Sequence, residues 1–476
     1  MMPKTQPESP QATNWFCLSN SGVPGMSDIF RSLTAALVLC SLGFAQNNNQ
    51  GQNNQGQNNQ FPGGILINAD GVIASPQAGR INPALEQKRL KELAGQHLSS
   101  EMATASQLRK VSLVKLEKEL QKAVDAGREI DPKLRYLAGI TQLQYIFAVP
   151  ETGDLVIAGP AEGFAPLQDE RVVGVESGRP VLTLDDLLVM LRLASMRQSL
   201  GCSFDPEPSR LAAAHAWNNA NSAPASLNVA RQRFYQMAKV LGNWNVTIFG
   251  LPKSCHAAVT AVEADYQMKR IALGLDRPRI RGFRSYLDMA RPGGNTMRRW
   301  WFAARYEVIE RSPDGHVFHI SGPRLQLLSQ DELVDAEGNR SDAAFSEITA
   351  EKYTRQFNKH MQALCTQVPS FAGIQNLFDL AVAAALIQSN DLPSAVGWQP
   401  TLLLDDKALP VQEYTVPTEV PSLVNVKSVS RSLLLGVTGG GVTIVPDRII
   451  RRTNVLPADR TPEIMSADAV ASWWWD

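Results

Sequence analysis

The chain has 476 residues, and its 46 lysines and arginines are matched by 46 aspartates and glutamates, so the formal net charge is zero. That balance excludes a protein drawn to nucleic acid or to an anionic membrane by its overall field. Five cysteines in so long a chain also exclude a disulfide-stapled scaffold, because a chain of this length buries enough apolar surface to hold itself together.

The first element is a short apolar run. Arg31 precedes Leu33, Ala35, Ala36, Leu37, Val38, Leu39, Leu42 and Phe44, and Gly43 and Ala45 supply the small residues a signal peptidase requires. Residues 26–45 therefore read as an export signal cleaved after Ala45. The run is too short to cross a bilayer as a helix, so no transmembrane helix is expected in the mature chain. Residues 1–25 are polar and nearly uncharged, unlike a signal n-region, and read as an upstream extension before a true start at Met26. Leu39 before Cys40 argues against lipidation. Residues 46–60 are almost pure Asn, Gln and Gly; they have nothing to bury and read as a disordered tether.

A first mixed module is expected over 61–200. Leu85, Leu90, Leu93, Leu108, Leu113, Leu116 and Leu120 recur at helical spacing, with a break near Ser99 and Ser100. Apolar stretches at 143–149 and 154–158 flank Pro150, Glu151, Thr152 and Gly153, a hairpin signal. Thr183 is a good N-cap for a helix running to about Met196, with Asp185 and Asp186 suited to its positive end. Residues 201–226, rich in Pro, Ser, Asn and Ala, read as a linker. A second mixed module follows over 227–400: helix 229–240, strand 246–250, helix 256–273, strands 300–309 and 316–320 joined by a turn at Ser312, Pro313, Asp314 and Gly315, then helices 343–365 and 371–389. Residues 401–476 read as an extended C-terminal region closing on Trp473, Trp474 and Trp475. Two internal echoes, 63–73 with 440–450 and the Tyr145 hairpin with the Tyr306 hairpin, suggest related modules. The fold class is α/β or α+β, two mixed modules of helices packed on small sheets.

Most chemical motifs fail their context. Gly436, Gly439, Gly440 and Gly441 precede a strand where a phosphate loop needs a helix, so a tight turn or bulge is expected. His316 and His319 lie three apart on a strand, facing opposite ways, and are not expected to share a metal. Ser112 and Lys115 fit a serine-nucleophile spacing without its companion elements. Cys202, Cys255 and Cys365 read as buried small hydrophobes. Asp265 and Lys269 have the spacing of an intrahelical ion pair. Asp379 sits in a stretch apolar nearly all round, where a carboxylate must be paired, most simply with an arginine.

The one strong surface signal is basic. Between Lys269 and Arg305, ten lysines and arginines face only Asp276 and Asp288. Arg277, Arg279, Arg281, Arg284, Arg298 and Arg299, with Trp300 and Trp301 beside them, are the candidate binding residues. Guanidinium groups grip sulfate, phosphate or carboxylate in pairs of hydrogen bonds, and aromatic rings stack on sugars.

Three blocks resemble an uncharacterised family of exported proteins from planctomycete bacteria, a domain of unknown function. They are residues 143–163, residues 264–269, and residues 375–381 with Gly397 and Trp398; the resemblance runs from Phe61 onward. It implies an exported bacterial protein and supplies no catalytic residue. The expected function is therefore a non-enzymatic binding or structural protein of the periplasm or cell envelope. Its expected partner is an anionic envelope polymer or a protein; no cofactor and no nucleic acid is expected. The alternative is a hydrolase or other enzyme acting on envelope polymers through buried carboxylates such as Asp265 or Asp379.

Overall fold

The computed structural model describes residues 16–19, 66–67, 73–74, 83–167, 169–223, 225–291, 296–334, 340–342, 348–429, 432–437, 439–462 and 472–476. The apolar run at 33–44 and the tract 46–60 lie outside them. Phe16–Ser19, upstream of Met26, pairs antiparallel with residues 434–437 in a small sheet.

The first long helix, α1 (Pro83–His97), is where the leucine periodicity begins. The helical reading then fails: Ser106–Ser112 is a strand, β1, and helix returns only at α2 (Leu113–Asp125). The stretch pairs instead with residues 156–161 and 474–475, and Arg109 is its least expected member. It looks like one charge on a helix face, yet it is fully buried, and its guanidinium donates to the carbonyls of Glu101, Met102, Thr104 and Ala138. Ser112 caps α2 by accepting from the Lys115 N–H, and Leu113, Leu116, Leu120 and Ala123 form the buried face. The Ser112–Lys115 spacing is thus a helix cap, with the serine hydroxyl donating to Asp154 at 2.6 Å.

The hairpin β2 (Tyr145–Val149) and β3 (Asp154–Ala161) follows, then α3 (Leu184–Leu193), capped by Thr183. Next come β4 (Leu200–Asp205), α4 (Pro208–Ala220), α5 (Leu227–Leu241), β5 (Asn243–Phe249) and α6 (His256–Ala272). Strands β6 (Thr296–Arg305), β7 (Ile309–Arg311), β8 (Val317–His319), β9 (Arg324–Val334) and β10 (Arg340–Asp342) precede three helices, α7 (Ile348–Lys359), α8 (Met361–Gln367) and α9 (Pro369–Ser389). The chain closes with β11 (Glu419–Pro421), β12 (Gly439–Ile444), β13 (Thr453–Val455) and β14 (Trp474–Trp475).

These strands form two mixed sheets of seven, in the orders β13-β7-β8-β2-β3-β1-β14 and β10-β9-β6-β12-β4-β5-β11. The fold is α+β. Each sheet has one parallel pair, β7 with β13 and β6 with β12. Residues 201–226, read as a linker, hold β4 and α4. Cys202 and Phe204 of β4 are wholly buried, and Pro208 takes the first helical position, where its missing N–H costs nothing. Residues 401–476, read as an extended tail, supply strands to both sheets. The echo of 63–73 in 440–450 is not structural: Leu66–Ile67 and Ile73–Ala74 make a hairpin, whereas β12 is followed by a helical turn, Pro446–Ile449.

Gly439, Gly440 and Gly441 form part of β12, where a turn or bulge was expected. A Cβ on Gly440 would lie 2.3 Å from the Trp300 carbonyl oxygen, and one on Gly441 2.3 Å from that of Cys202. Glycine is needed because β12 runs between β6 and β4 with no room for side chains there. Helix α9 is long and apolar enough to cross a membrane, but all of its apolar window is covered by protein. It packs on α3, α6 and β9 as the central core helix.

Candidate functional site

The basic segment divides by position. Its first part is the connection leaving α6. Asp276 turns back and binds the Arg270 guanidinium through hydrogen bonds of 2.6 and 2.9 Å. Beyond it the chain alternates. Arg277, Arg279, Arg281 and Arg284 are exposed, while Ile280 and Phe283 are turned partly inward. The Phe283 ring packs edge-on against Tyr353, Phe357 and His360 of the neighbouring helix region, with centroids 6.0 to 6.3 Å away.

Two glutamines fix this backbone. The Arg279 N–H donates to Gln367 Oε1 at 2.7 Å, and Gln367 Nε2 donates back to the Arg279 carbonyl at 3.5 Å. Gln356 holds Arg284 in the same way, at 3.3 and 2.8 Å. The result is a ridge with its apolar side chains seated and its guanidinium groups in solvent. Arg284 donates to the Asp288 carbonyl. Among the described residues, no ion pair joins Arg277, Arg279 or Arg281 to an acid.

The second part is not surface. Trp300 lies in the middle of β6 with no exposed area, edge-on to Tyr286 and Tyr353 at 5.4 and 4.9 Å. Trp301 is also buried, and the buried Arg299 guanidinium lies 5.4 Å from its ring centre. Neither tryptophan is placed to stack on a ligand at the ridge. Strand β6 is central in its sheet, covered on both faces, and that is the physical reason. Arg298 pairs in register with Asp331; its side chain lies outside the described residues.

The buried carboxylates are structural in their contacts. Asp379 is completely buried and accepts from Tyr306 Oη at 2.8 Å, Arg324 Nε at 3.2 Å and the Leu143 N–H at 3.3 Å. Arg324 also donates to the carbonyls of Leu143 and Ile320. This network ties α9 to both sheets. Asp265 and Lys269 form an intrahelical ion pair with no access to solvent, the ammonium 3.7 Å from the Phe204 ring centre. Burial pushes the Asp265 carboxyl up to about 6 and holds Lys269 below its ordinary value. Burial likewise pushes the thiols of Cys255 and Cys365 up to about 12 and that of Cys202 higher still.

One arrangement is brought together only by the fold. His256 Nδ1 lies 2.8 Å from Asp186 Oδ2, and His256 Nε2 lies 3.5 Å from Thr260 Oγ1. Thr183 Oγ1 donates to the same Asp186 oxygen at 2.8 Å. Burial works against a charged imidazole, but Asp186 outweighs it and His256 is raised above its usual value. Next to it, Arg171 grips Glu263 through bonds of 2.8 and 3.0 Å. The order acid, imidazole, hydroxyl is that of a nucleophile relay. Asp186 and Thr260 are both buried, so the relay lacks an approach for substrate. His256 and Thr260 sit one turn apart on α6, a spacing visible in sequence; the acid comes from α3, which sequence does not pair with it. His319, on the other hairpin, bonds Glu310 at 2.8 Å and stacks on Tyr145.

Residues 202–286 match a family model described as "Protein of unknown function (DUF1598)". The match runs from β4 through α6 and includes the whole arginine ridge. No curated protein matches the chain, and no solved structure does.

Proposed function

We propose that this chain is an exported, non-enzymatic binding protein of the periplasm or cell envelope, and that the ridge 277–284 grips an anionic polymer. One observation carries the reading: Arg277, Arg279, Arg281 and Arg284 are exposed together on a backbone already fixed by Gln356 and Gln367. A guanidinium released from internal acids is available for bidentate contact with sulfate or phosphate oxygens. A pre-ordered backbone loses little entropy on binding. The export part rests on the apolar run at 33–44 and on the likeness of three blocks to exported planctomycete proteins.

The test is chromatography on immobilised heparin. The full chain is expected to be retained and to elute with salt, and Arg277→Ala/Arg279→Ala/Arg281→Ala to elute earlier. Passage straight through at low salt, or an unchanged elution position for the triple variant, overturns the reading. For export, N-terminal sequencing of the secreted form is expected to begin at Gln46; a form retaining earlier residues overturns the cleavage site.

The alternative, a hydrolase acting on envelope polymers, draws no support from Asp265 or Asp379, which are sealed from solvent. What favours it is the Asp186–His256–Thr260 chain. Polymer hydrolysis abolished by Thr260→Val would support it; absence of turnover in the parent protein would not.

A further inference from the structure

The helix that carries Gln356 has more to offer than one amide. In α7 the buried face is Ala350, Tyr353 and Phe357. Gln356 lies on the flank of that face that meets the arginine ridge. At about 100° per residue, Lys352 falls about 40° and Lys359 about 60° further round from Gln356, both on the side away from the buried face. Both are exposed, and among the described residues neither is in an ion pair. Glu351 lies further round again and is joined to Arg355 at 3.5 Å. No acid of α7 therefore stands between the two lysines and the ridge.

We infer that Lys352 and Lys359 form a second cationic row of the same site, and that the site takes a linear polyanion bearing sulfate or phosphate groups along the seam between helix and ridge. The inference rests on the reading that the ridge binds a polyanion. Its geometry comes from the glutamines. By bonding both the N–H and the C=O of Arg279 and Arg284, they hold the ridge against α7 and α8 and set the distance between the two rows. Gln356 and Gln367 are positioning residues: neutral, and effective only through the arginines. The ridge turns at Ile280–Phe283, where the Phe283 N–H donates to the Ile280 carbonyl at 3.1 Å, so its four arginines spread along a bent surface segment, an arrangement suited to several charged groups on a polymer rather than to one small anion.

The experiment measures affinity of the full chain for a heparin oligosaccharide and for inorganic polyphosphate over a range of salt. These two probes separate a sulfated sugar from a phosphate polymer as the source of the shared chemistry. Lys352→Ala/Lys359→Ala removes two exposed side chains, so folding is not at stake. It is expected to weaken binding roughly three- to tenfold and to flatten the slope of log affinity against log salt by roughly 0.7–0.9 per cation removed. Gln356→Ala and Gln367→Ala are expected to weaken binding with the slope unchanged, because no charge is lost. A Gln367→Glu side chain keeps the acceptor but loses the donor and adds a negative charge, so it should weaken binding and flatten the slope. If the parent protein binds neither probe, the functional reading fails. If it binds, and the ridge variants weaken it while Lys352→Ala/Lys359→Ala changes neither affinity nor slope, the second row is refuted and the ridge stands. If the glutamine variants bind like the parent, the positioning role is refuted.

Discussion

Arg109 and Asp476 meet across 367 residues of chain: the arginine Nε and Nη2 donate to the two carboxylate oxygens at 2.8 and 3.0 Å. The guanidinium is fully buried while the acid is part exposed, and the Trp474 ring lies 4.7 Å from the guanidinium carbon. Strand β14 is thereby fastened to the edge of β1 by charge as well as by backbone pairing.

Loss of that acid leaves an internal cation with carbonyl partners only. Asp476→Ala is expected to cost about 1–3 kcal/mol, and Arg109→Ala more, about 3 kcal/mol or above. Denaturant unfolding of both variants measures this. Burial disfavours the Asp476 charge, but the bonds from Arg109 and Ser106 outweigh it and hold its pKa below the usual value. A lowered carboxyl contributes stability above its unfolded pKa, and that stability is lost as pH falls through the folded one. Asp476→Asn should therefore be less acid-sensitive than the parent; an identical acid profile argues against the assignment.

His256 gives the opposite sign. Its folded pKa is raised, so its pairing with Asp186 is fully present below about 6.5 and is lost as pH rises through the folded value. Melting temperature followed across neutral pH should fall for the parent and stay flatter for His256→Gln. Parallel curves would remove His256 as the source.

The Asp379 network predicts a steep penalty. Arg324→Ala strands a buried carboxylate and is expected to cost about 3–5 kcal/mol. Exchanging both residues for apolar ones of similar volume should cost less than Arg324→Ala alone, and a double-mutant cycle by chemical unfolding checks it.

Gly440→Ala forces β12 away from the Trp300 carbonyl, and a loss of roughly 3 kcal/mol is expected. Circular dichroism melts of this variant against Gly95→Ala, where a Cβ meets nothing within 4 Å, give the contrast. Equal melting of the two would mean that β12 has room the structure denies it.

Thiol labelling tests the interior placement of the cysteines. Cys202, Cys255 and Cys365 are buried with raised thiols; peptide mapping should find them unmodified in the folded protein and modified after unfolding.

What the sequence made legible was local. Thr183 with its two aspartates marks the start of α3, and Ser312 to Gly315 marks a turn, because the partners lie within a few residues. The bounds of α6 and α9 follow from composition alone. Strands β1 and β4, and the glycine half of β12, were illegible because their character depends on neighbours from distant parts of the chain, whereas the strand at 442–444 was read from its β-branched residues. Arg109 reads as surface until Asp476 and four carbonyls surround it, and Gly439 to Gly441 read as a turn until β4 and β6 flank them. The candidate site divides the same way. Its charge was plain in the sequence, whereas the burial of Trp300 and the grip of Gln356 and Gln367 required the fold.

The two seven-stranded sheets have a consequence for how the molecule assembles. Strands on either side of residues 201–226 are interleaved, and β12, β13 and β14 follow every strand they join. Until they dock, β4 and β6 lack the strand that joins them and β1 lacks its outer neighbour. Such long-range pairing is slow to form, and neither sheet is complete until residues 439–475 have docked onto strands laid down hundreds of residues earlier.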